Sequence, residues 1–447
     1  LPATHTHPHP LDERNSQALT TTWYANYVLV VLTLCYVVNV IDRSQVLAAS
    51  VQAIKAEFGA SDFQMGMLSG LPFALFYSLM GIPIAAWADR SNRRNVLVVA
   101  VATWSAMTAL FGTAVNFTML FLTRIGTAIG EAGGSPPSHS LISDYFPKAR
   151  RGTAFAIYAL AVPVGTSIGA FVGGWGNQNL GWRNTFIAIG LPGILLALIV
   201  FLTVKEPPRG MSDGAAGRGS TQKIPGMMEV LKFLWLRPSF RHLSLACALY
   251  SVVWYASGAF NNAFLQRSHG MNVAEAGYWI SVLAAIAGLG TFLGGYLSDR
   301  LSSRTNDRRW YMWVPGVATL ICVPFQFLAY LSPNLAVTLP SFVGLMLMAA
   351  VFFGPSFAMT QALATLRMRS VATSLLLFIQ TLIGNGLGPS VTGLISDWLA
   401  PSFQVDSLRY ALVIIGVVNF WAAIHYMVGA RSLRSDLELT EKLASAQ

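Results

Sequence analysis

Long apolar runs, broken at short intervals by clusters of charge, fill this chain from residue 24 onward. A helix crosses the hydrocarbon core of a bilayer with about 20 predominantly apolar residues. Runs of that size occupy 24–48, 62–88, 94–113, 117–142, 152–176 and 183–204, and then 240–266, 274–298, 310–330, 336–362, 370–396 and 408–429. They are continuous rather than alternating, which predicts helices and not the strands of a transmembrane barrel. The expectation is an all-α membrane protein with twelve transmembrane helices in two pseudo-symmetric six-helix bundles. Its parts would be a tail (1–23), an N-terminal bundle (24–204), a linker (205–239), a C-terminal bundle (240–429) and a second tail (430–447).

Composition closes off the soluble alternative. Hydrophobic residues make up 54% of the 447 residues, charged residues 11%, and mean hydropathy is +0.54, whereas about a quarter of a soluble domain is charged. The net charge of +10 raises nucleic acid as a partner, but the placement of the charges removes it. The odd connections hold only Lys55, Arg183, Arg267 and Arg409, while the even connections and the C-terminal tail hold nearly all the other basic residues. By the positive-inside rule both termini and the basic loops are cytoplasmic, in a multi-pass plasma-membrane protein (the inner membrane of a bacterium). The polar stretch before residue 23 has no apolar core of a cleaved signal. His5, His7 and His9 read there as tail residues rather than metal ligands. Cys35, Cys247 and Cys322 sit inside apolar runs without metal spacing and read as packing residues. No cofactor motif or nucleotide loop is present. The only long connection, 205–239, has a Gly/Ser/Ala-rich middle and reads as a flexible linker ending in a short amphipathic helix near 226–234.

The halves repeat one another. After the second span stands Ala85-x-x-x-Asp89-Arg90-Ser91-Asn92-Arg93-Arg94, and after the eighth Gly295-x-x-x-Asp299-Arg300. The fifth span carries Gly165, Gly169, Gly173 and Gly174, the eleventh Gly384, Gly388 and Gly393. Small residues at such spacing let helix backbones approach closely. This turn, its weaker second copy and the glycine pattern resemble the major facilitator superfamily over essentially the whole chain. Ala85 and Asn92 depart from the family's usual glycines, and Ser303 from an expected arginine. Within the superfamily, three segments resemble the spinster-like branch, associated with sphingolipid and lysophospholipid transport. They are Asn39-Val40-Ile41-Asp42-Arg43, Arg124 with Gly130-Glu131-Ala132, and Ser143-Asp144-Tyr145-Phe146-Pro147 followed by Arg151.

Ionisable residues within spans are functional hypotheses by default. Four lie well inside, all in the first half: Asp42, Arg43, Arg124 and Glu131. At 1.5 Å per residue, Asp42 and Arg124 each fall ~9–10 Å from the outer face, so they are level, and Glu131 lies ~10 Å deeper on nearly the same face as Arg124. Burial favours the neutral form of a carboxylate, and a nearby guanidinium favours the charged form. This predicts Asp42 and Glu131 as carriers of a coupling proton and Arg124 as their movable counter-charge. Arg43, with Arg124, would meet an anionic headgroup. The alternative is a static ion-pair cluster joining the first and fourth spans, although an apolar cluster would do that at lower cost.

The second half has no charge well inside its spans. Its cavity residues are expected to be Trp254, Tyr255, Phe260, Asn261, Phe353, Phe357, Phe378 and Gln380. Aromatic residues in spans are commonly packing or lipid-facing. A polar first-half wall opposite an apolar second-half wall nevertheless suits an amphiphile, in line with the lysophospholipid or sphingoid substrates the resemblance implies. The resemblance also implies a cytoplasmic gate. In it Asp89, with Arg90, Arg93 and Arg94, faces the start of the eleventh span and Asp144 or Arg151 at the end of the fourth. Asp299 and Arg300 would form a weaker copy with Arg367 or Arg369. Pro136-Pro137 predicts a break after Glu131. Ser138, His139 and Asp144 do not make a hydrolase, because neighbouring helical residues point to different faces. The reading is therefore a monomeric, proton-coupled secondary transporter of a lipid-like amphiphile, embedded in membrane lipid. A drug/proton antiporter or organic-anion symporter is the alternative within transport, and a non-transporting ligand sensor the alternative outside it.

Overall fold

The computed structural model describes residues 22–212 and 226–445. The N-terminal tail with its three histidines, and the Arg218 and Lys223 part of the linker, lie outside the described residues. Nine helical stretches among the described residues are long and apolar enough to cross a membrane. They account for the twelve expected spans once three features are considered. The stretch 148–203 contains two spans, because Gly181, at φ +77°, turns the chain back inside α9 (Ala161–Thr203). The stretch 369–443 also contains two, separated at Gln404, φ +47°. The fourth span is a pair of shorter helices, α6 (Phe117–Ala132) and α7 (Ser135–Tyr145). Its break falls at Gly133–Gly134, and a proline sits in the first turn of α7, where the missing N–H has no helical partner to lose.

The first span is α1 (Thr22–Val40), a π turn (Ile41–Gln45) and α2 (Val46–Phe58). The second is α3 (Asp62–Ser69) and α4 (Leu71–Arg90), the third α5 (Arg93–Phe111), and the fifth begins with α8 (Lys148–Ala159) before α9. An amphipathic helix, α10 (Met227–Trp235), buries Val230 and Leu234 and precedes the second bundle. That bundle opens with α11 (Pro238–His269), α12 (Val273–Thr305) and α13 (Trp310–Leu331). The tenth span is α14 (Leu335–Ala349) and α15 (Phe353–Ala362), joined by a 3₁₀ turn. The eleventh is α16 (Arg369–Ile379), a π turn (Gln380–Asn385) and α17 (Gly386–Phe403), and the twelfth is α18 (Ser407–Gly416) with α19 (Val418–Ser445).

The glycine stripes explain how the bundles are tied. A Cβ on Gly165, Gly169 or Gly173 would press on the backbone or side chains of the first span, whereas one on Gly174 would lie 2.8 Å from the Cα of Gly277 in α12. The eleventh span repeats this arrangement. Gly384 and Gly388 pack on α11, and Gly393 on the backbone of Asp62 and Phe63 in the other half. Each stripe thus packs mainly within its own bundle and ends on the opposite one. These crossings lie at one end of the molecule, here the far face. The even connections and both described termini lie at the other, the basic face.

Candidate functional site

The π turn of the first span builds the centre of the site. A π turn shifts the hydrogen-bond ladder by one residue and is frequent at functional positions. Here it turns the carbonyls of Asp42 and Arg43 toward Arg124, whose guanidinium donates to both, at 3.4 Å to Asp42 O and more closely to Arg43 O. Arg124 is 3% exposed and also lies 4.7 Å from the centre of the Phe73 ring. The expected Asp42–Arg124 ion pair is therefore replaced by a guanidinium bound to main chain. Asp42 is 1% exposed and lies beside Thr108, and neither carboxylate oxygen has a close hydrogen-bond partner among the described residues.

Glu131 takes its partner from the first span instead. Arg43 Nε donates to Glu131 Oε2 at 2.8 Å, with Asn39 nearby, while Glu131 Oε1 has no close partner among the described residues. Glu131 is fully buried, but 28% of the Arg43 side chain is exposed. Its guanidinium lies 4.7 Å from the Tyr77 ring centre and 5.3 Å from that of Phe73. The sequence reading missed both aromatic residues, although Phe73 and Tyr77 stand four apart, the spacing of one helix face. Stacking on flat rings holds a guanidinium in place while leaving its donors on one edge available. The four intramembrane charges thus form one cluster, with Arg43 as its exposed member.

Of the expected second-half wall, Trp254, Tyr255, Phe353, Phe357 and Phe378 are half-buried. Trp254 meets Phe353 edge to face at 5.9 Å, and Tyr255 sits by Thr381 within electrostatic reach of Arg43 and Tyr77 across the bundles. Gln380 is buried in the second π turn. Phe260 and Asn261 are corrections. Phe260 is 0% exposed and belongs to the bundle core, because six residues past Trp254 the helix has turned by about 240°. Asn261 returns to that face but stands about 10 Å nearer the far face, where its amide oxygen accepts the Tyr330 hydroxyl at 2.6 Å.

The two ends of the molecule differ. At the far face Asp62 accepts Lys55 at 2.6 Å, Arg267 through two donors at 2.6 and 2.7 Å, and Ser396 at 2.7 Å. Asp397 accepts the backbone N–H groups of Asp62 and Phe63 at 2.9 and 2.8 Å, capping α3 from the opposite bundle. This inter-bundle clasp was not anticipated. Its signal was available, since Lys55 and Arg267 are two of the few basic residues in the odd connections.

At the basic face the gate residues bond within their own halves. Arg93, 1% exposed, pairs with Asp144, with Glu206 at 2.7 Å, and with Ser140 Oγ at 2.8 Å. The backbone N–H of Arg94 donates to Glu206 at 2.9 Å, and Arg151 to the Ser143 carbonyl at 2.9 Å. Asp299 accepts the Tyr311 hydroxyl and Arg300 donates to Tyr296. Asp89, Arg90, Asp299, Arg300, Arg367 and Arg369 are exposed. Asp89 thus lies open to solvent, and Asp144 is taken by Arg93. His139 packs edge-on against Phe155 and Tyr158, both at 5.4 Å.

A helical molecule in two matched bundles, clasped at one face around a buried charge cluster, has known relatives. Residues 32–389 match the Major Facilitator Superfamily. The chain belongs to that superfamily. It is 36% identical to a bacterial homolog of the human lysosomal transporter spinster, solved in an inward-facing and unoccupied conformation. That alignment covers 93% of this chain and 99% of the other, with a TM-score of 0.87. An MFS-type efflux pump of Mycolicibacterium smegmatis is 31% identical over 91% of this chain and 93% of its own length. Protein spinster homolog 1 of Xenopus tropicalis is 25% identical over 96% and 85%. The chain is accordingly a multi-pass membrane protein of the facilitator fold, a secondary transporter of small molecules and not an enzyme.

Proposed function

We propose that the chain is a proton-coupled transporter of a lipid-like amphiphile, a lysophospholipid or sphingoid lipid, working as a monomer in the plasma membrane with both termini cytoplasmic. The observation that carries the reading is the central cluster. The Arg43 side chain is 28% exposed and lies within electrostatic reach of Tyr255 in the second bundle, and its salt-bridge partner Glu131 is buried. A phosphate-bearing headgroup that engages Arg43 competes directly with Glu131. An ionised carboxylate left unpaired in such a site is costly, so release from Arg43 is coupled to uptake of a proton by Glu131. Asp42, with both oxygens unpartnered, supplies the second proton site. Arg124, tied to main-chain carbonyls, holds the π turn in shape. The aromatic wall of the second bundle takes the acyl chain. With the basic loops cytoplasmic, the far-face clasp makes this the inward-facing state. In the outward-facing state, Asp89, Arg90, Arg93, Arg94, Asp144 and Arg151 would close the cytoplasmic side with Asp299 and Arg300. The 31% identical efflux pump supports a drug/proton antiporter as the second reading, since the same carboxylates would serve a cationic drug.

The test is flux of labelled lysophospholipid in proteoliposomes under an imposed pH gradient, with Asp42→Asn and Glu131→Gln alongside. Gradient-driven flux in the parent, falling at least about tenfold in each variant, is the expected result. Flux indifferent to gradient and variants would make the cluster structural. Flux of lipophilic cations but not of lysophospholipid would favour the antiporter.

A further inference from the structure

A second site lies in the C-terminal bundle, away from the central cluster. At the basic face a cavity of about 350 Å³ opens between the start of α13, the end of α15, the start of α16 and the final helix α19. That volume is within the range of small-molecule pockets. Two arginines on different elements line it, Arg308 before α13 and Arg369 at the first residue of α16. The side chain of Arg369 has no ion pair or hydrogen bond among the described residues. Arg308 pairs with Glu441 at 3.9 Å, with 58% and 73% of the two side chains exposed. A pair so long and so open is worth little.

Two threonines give the cavity a polar component. Thr365 and Thr440 both line it and are each 4% exposed. The Thr365 hydroxyl makes no hydrogen bond among the described residues and is left free for a ligand in the cavity it lines. Thr440 accepts from Arg237 Nε at 3.1 Å. Arg237 is itself 2% exposed and keeps one guanidinium nitrogen, Nη2, unpartnered. A third, buried guanidinium thus reaches the cavity lining through Thr440, with Asp436 nearby. Two guanidinium groups at a mouth and an unused hydroxyl at its base match the donors that a tetrahedral oxyanion accepts.

We propose that this cavity binds a phosphate-bearing anion, held by Arg308 and Arg369 over the Thr365 hydroxyl. Glu441 is the built-in competitor, since its carboxylate occupies the same guanidinium. The ligand bridges the α16 end of the eleventh span and the final helix, so binding fastens α19 to the bundle. The phosphate is carried either by a soluble ester or by the headgroup of an anionic lipid at the membrane edge.

The test uses the detergent-purified full chain. Calorimetric titration with inorganic phosphate and with glycerol 3-phosphate reads the soluble source. Nanodiscs containing phosphatidic acid, compared with phosphatidylcholine alone, read the lipid source by the melting temperature of the protein. Saturable binding in either arm is expected. Arg369→Gln and Arg308→Gln should weaken it by about tenfold each, while Glu441→Gln should tighten it by removing the competitor. Tightening in Glu441→Gln is the readout that a purely structural role would not produce. Unchanged melting of the unliganded Arg369→Gln protein separates loss of binding from loss of fold. No binding in either arm, or binding indifferent to all three substitutions, would overturn the assignment.

Discussion

Asp307 shows how a single carboxylate outside the spans ties the basic face. It accepts the backbone N–H of Arg309 at 3.0 Å and its side chain at 2.9 Å, and Arg434 of α19 reaches it at 2.7 Å. The hydrogen bonds from Arg309, with burial opposing, hold its carboxyl well below the usual carboxylate range. A folded pKa below the unfolded value of about 3.9 gives stability that is present above that value and lost as pH falls through the folded one. Asp307→Asn should therefore lower the melting temperature throughout the neutral range, by an amount that corresponds to ~1 kcal/mol, since its two arginine partners are 30% and 59% exposed. The difference from the parent should shrink only on acidification below about pH 4. A difference that instead changed between pH 6 and 8 would assign the effect to another group. The same scale separates what could be read in advance within the central site. The four charges announced themselves as charges in apolar runs. Phe73 and Tyr77 did not, because aromatic residues in a span look alike whether they face lipid, core or a guanidinium.

At the scale of elements, the far-face clasp is a charged link between the bundles. Asp62 starts α3, and its carboxylate gathers Lys55, Arg267 and Ser396 while Asp397 of α17 caps α3. A hydrogen bond to a charged group contributes about 1.5–3 kcal/mol, so Asp62→Asn should shift the balance between the two faces by roughly one to two orders of magnitude. Cysteines introduced at the far and basic faces would report this through their labelling rates. The native Cys35, Cys247 and Cys322 are buried and leave the background low. The expected result is faster labelling at the far face and slower labelling at the basic face. Faster labelling at both would show plain destabilisation. The clasp escaped the sequence reading because Asp62 and Asp397 are far apart in the chain and sit at span ends, where charge is ordinary.

For the whole molecule, the contact of Gly174 with Gly277 is the test of rocking. These glycines bring α9 and α12 together with no room for a side chain, since a Cβ on Gly277 would lie 2.7 Å from the Ala170 carbonyl. The backbone there cannot yield as a flexible side chain would. Gly277→Leu should wedge the far face open while leaving the central cluster intact. Labelled-substrate flux is expected to vanish, with binding of the same substrate to the detergent-solubilised protein kept within about threefold of the parent. Loss of both together would mean that the bundles had failed to assemble.

The chain by itself determined the number of its spans, the sorting of basic residues to one face, the doubled six-span plan and the identity of the four buried charges. Those properties depend on residue type and local order, and hydropathy, charge and glycine spacing record them directly. Only the tertiary structure decided which charge meets which. Depth along a span follows from counting residues, so the counts placed Asp42 level with Arg124. Direction around a helix depends on every residue between, and the π turn at Ile41–Gln45 changes it within one turn. Glu131 therefore pairs with Arg43, Arg124 binds main chain, and Asp42 keeps its carboxylate unpaired. Phe260 joined the core for the same rotational reason, and the clasp formed because two bundles met at one face.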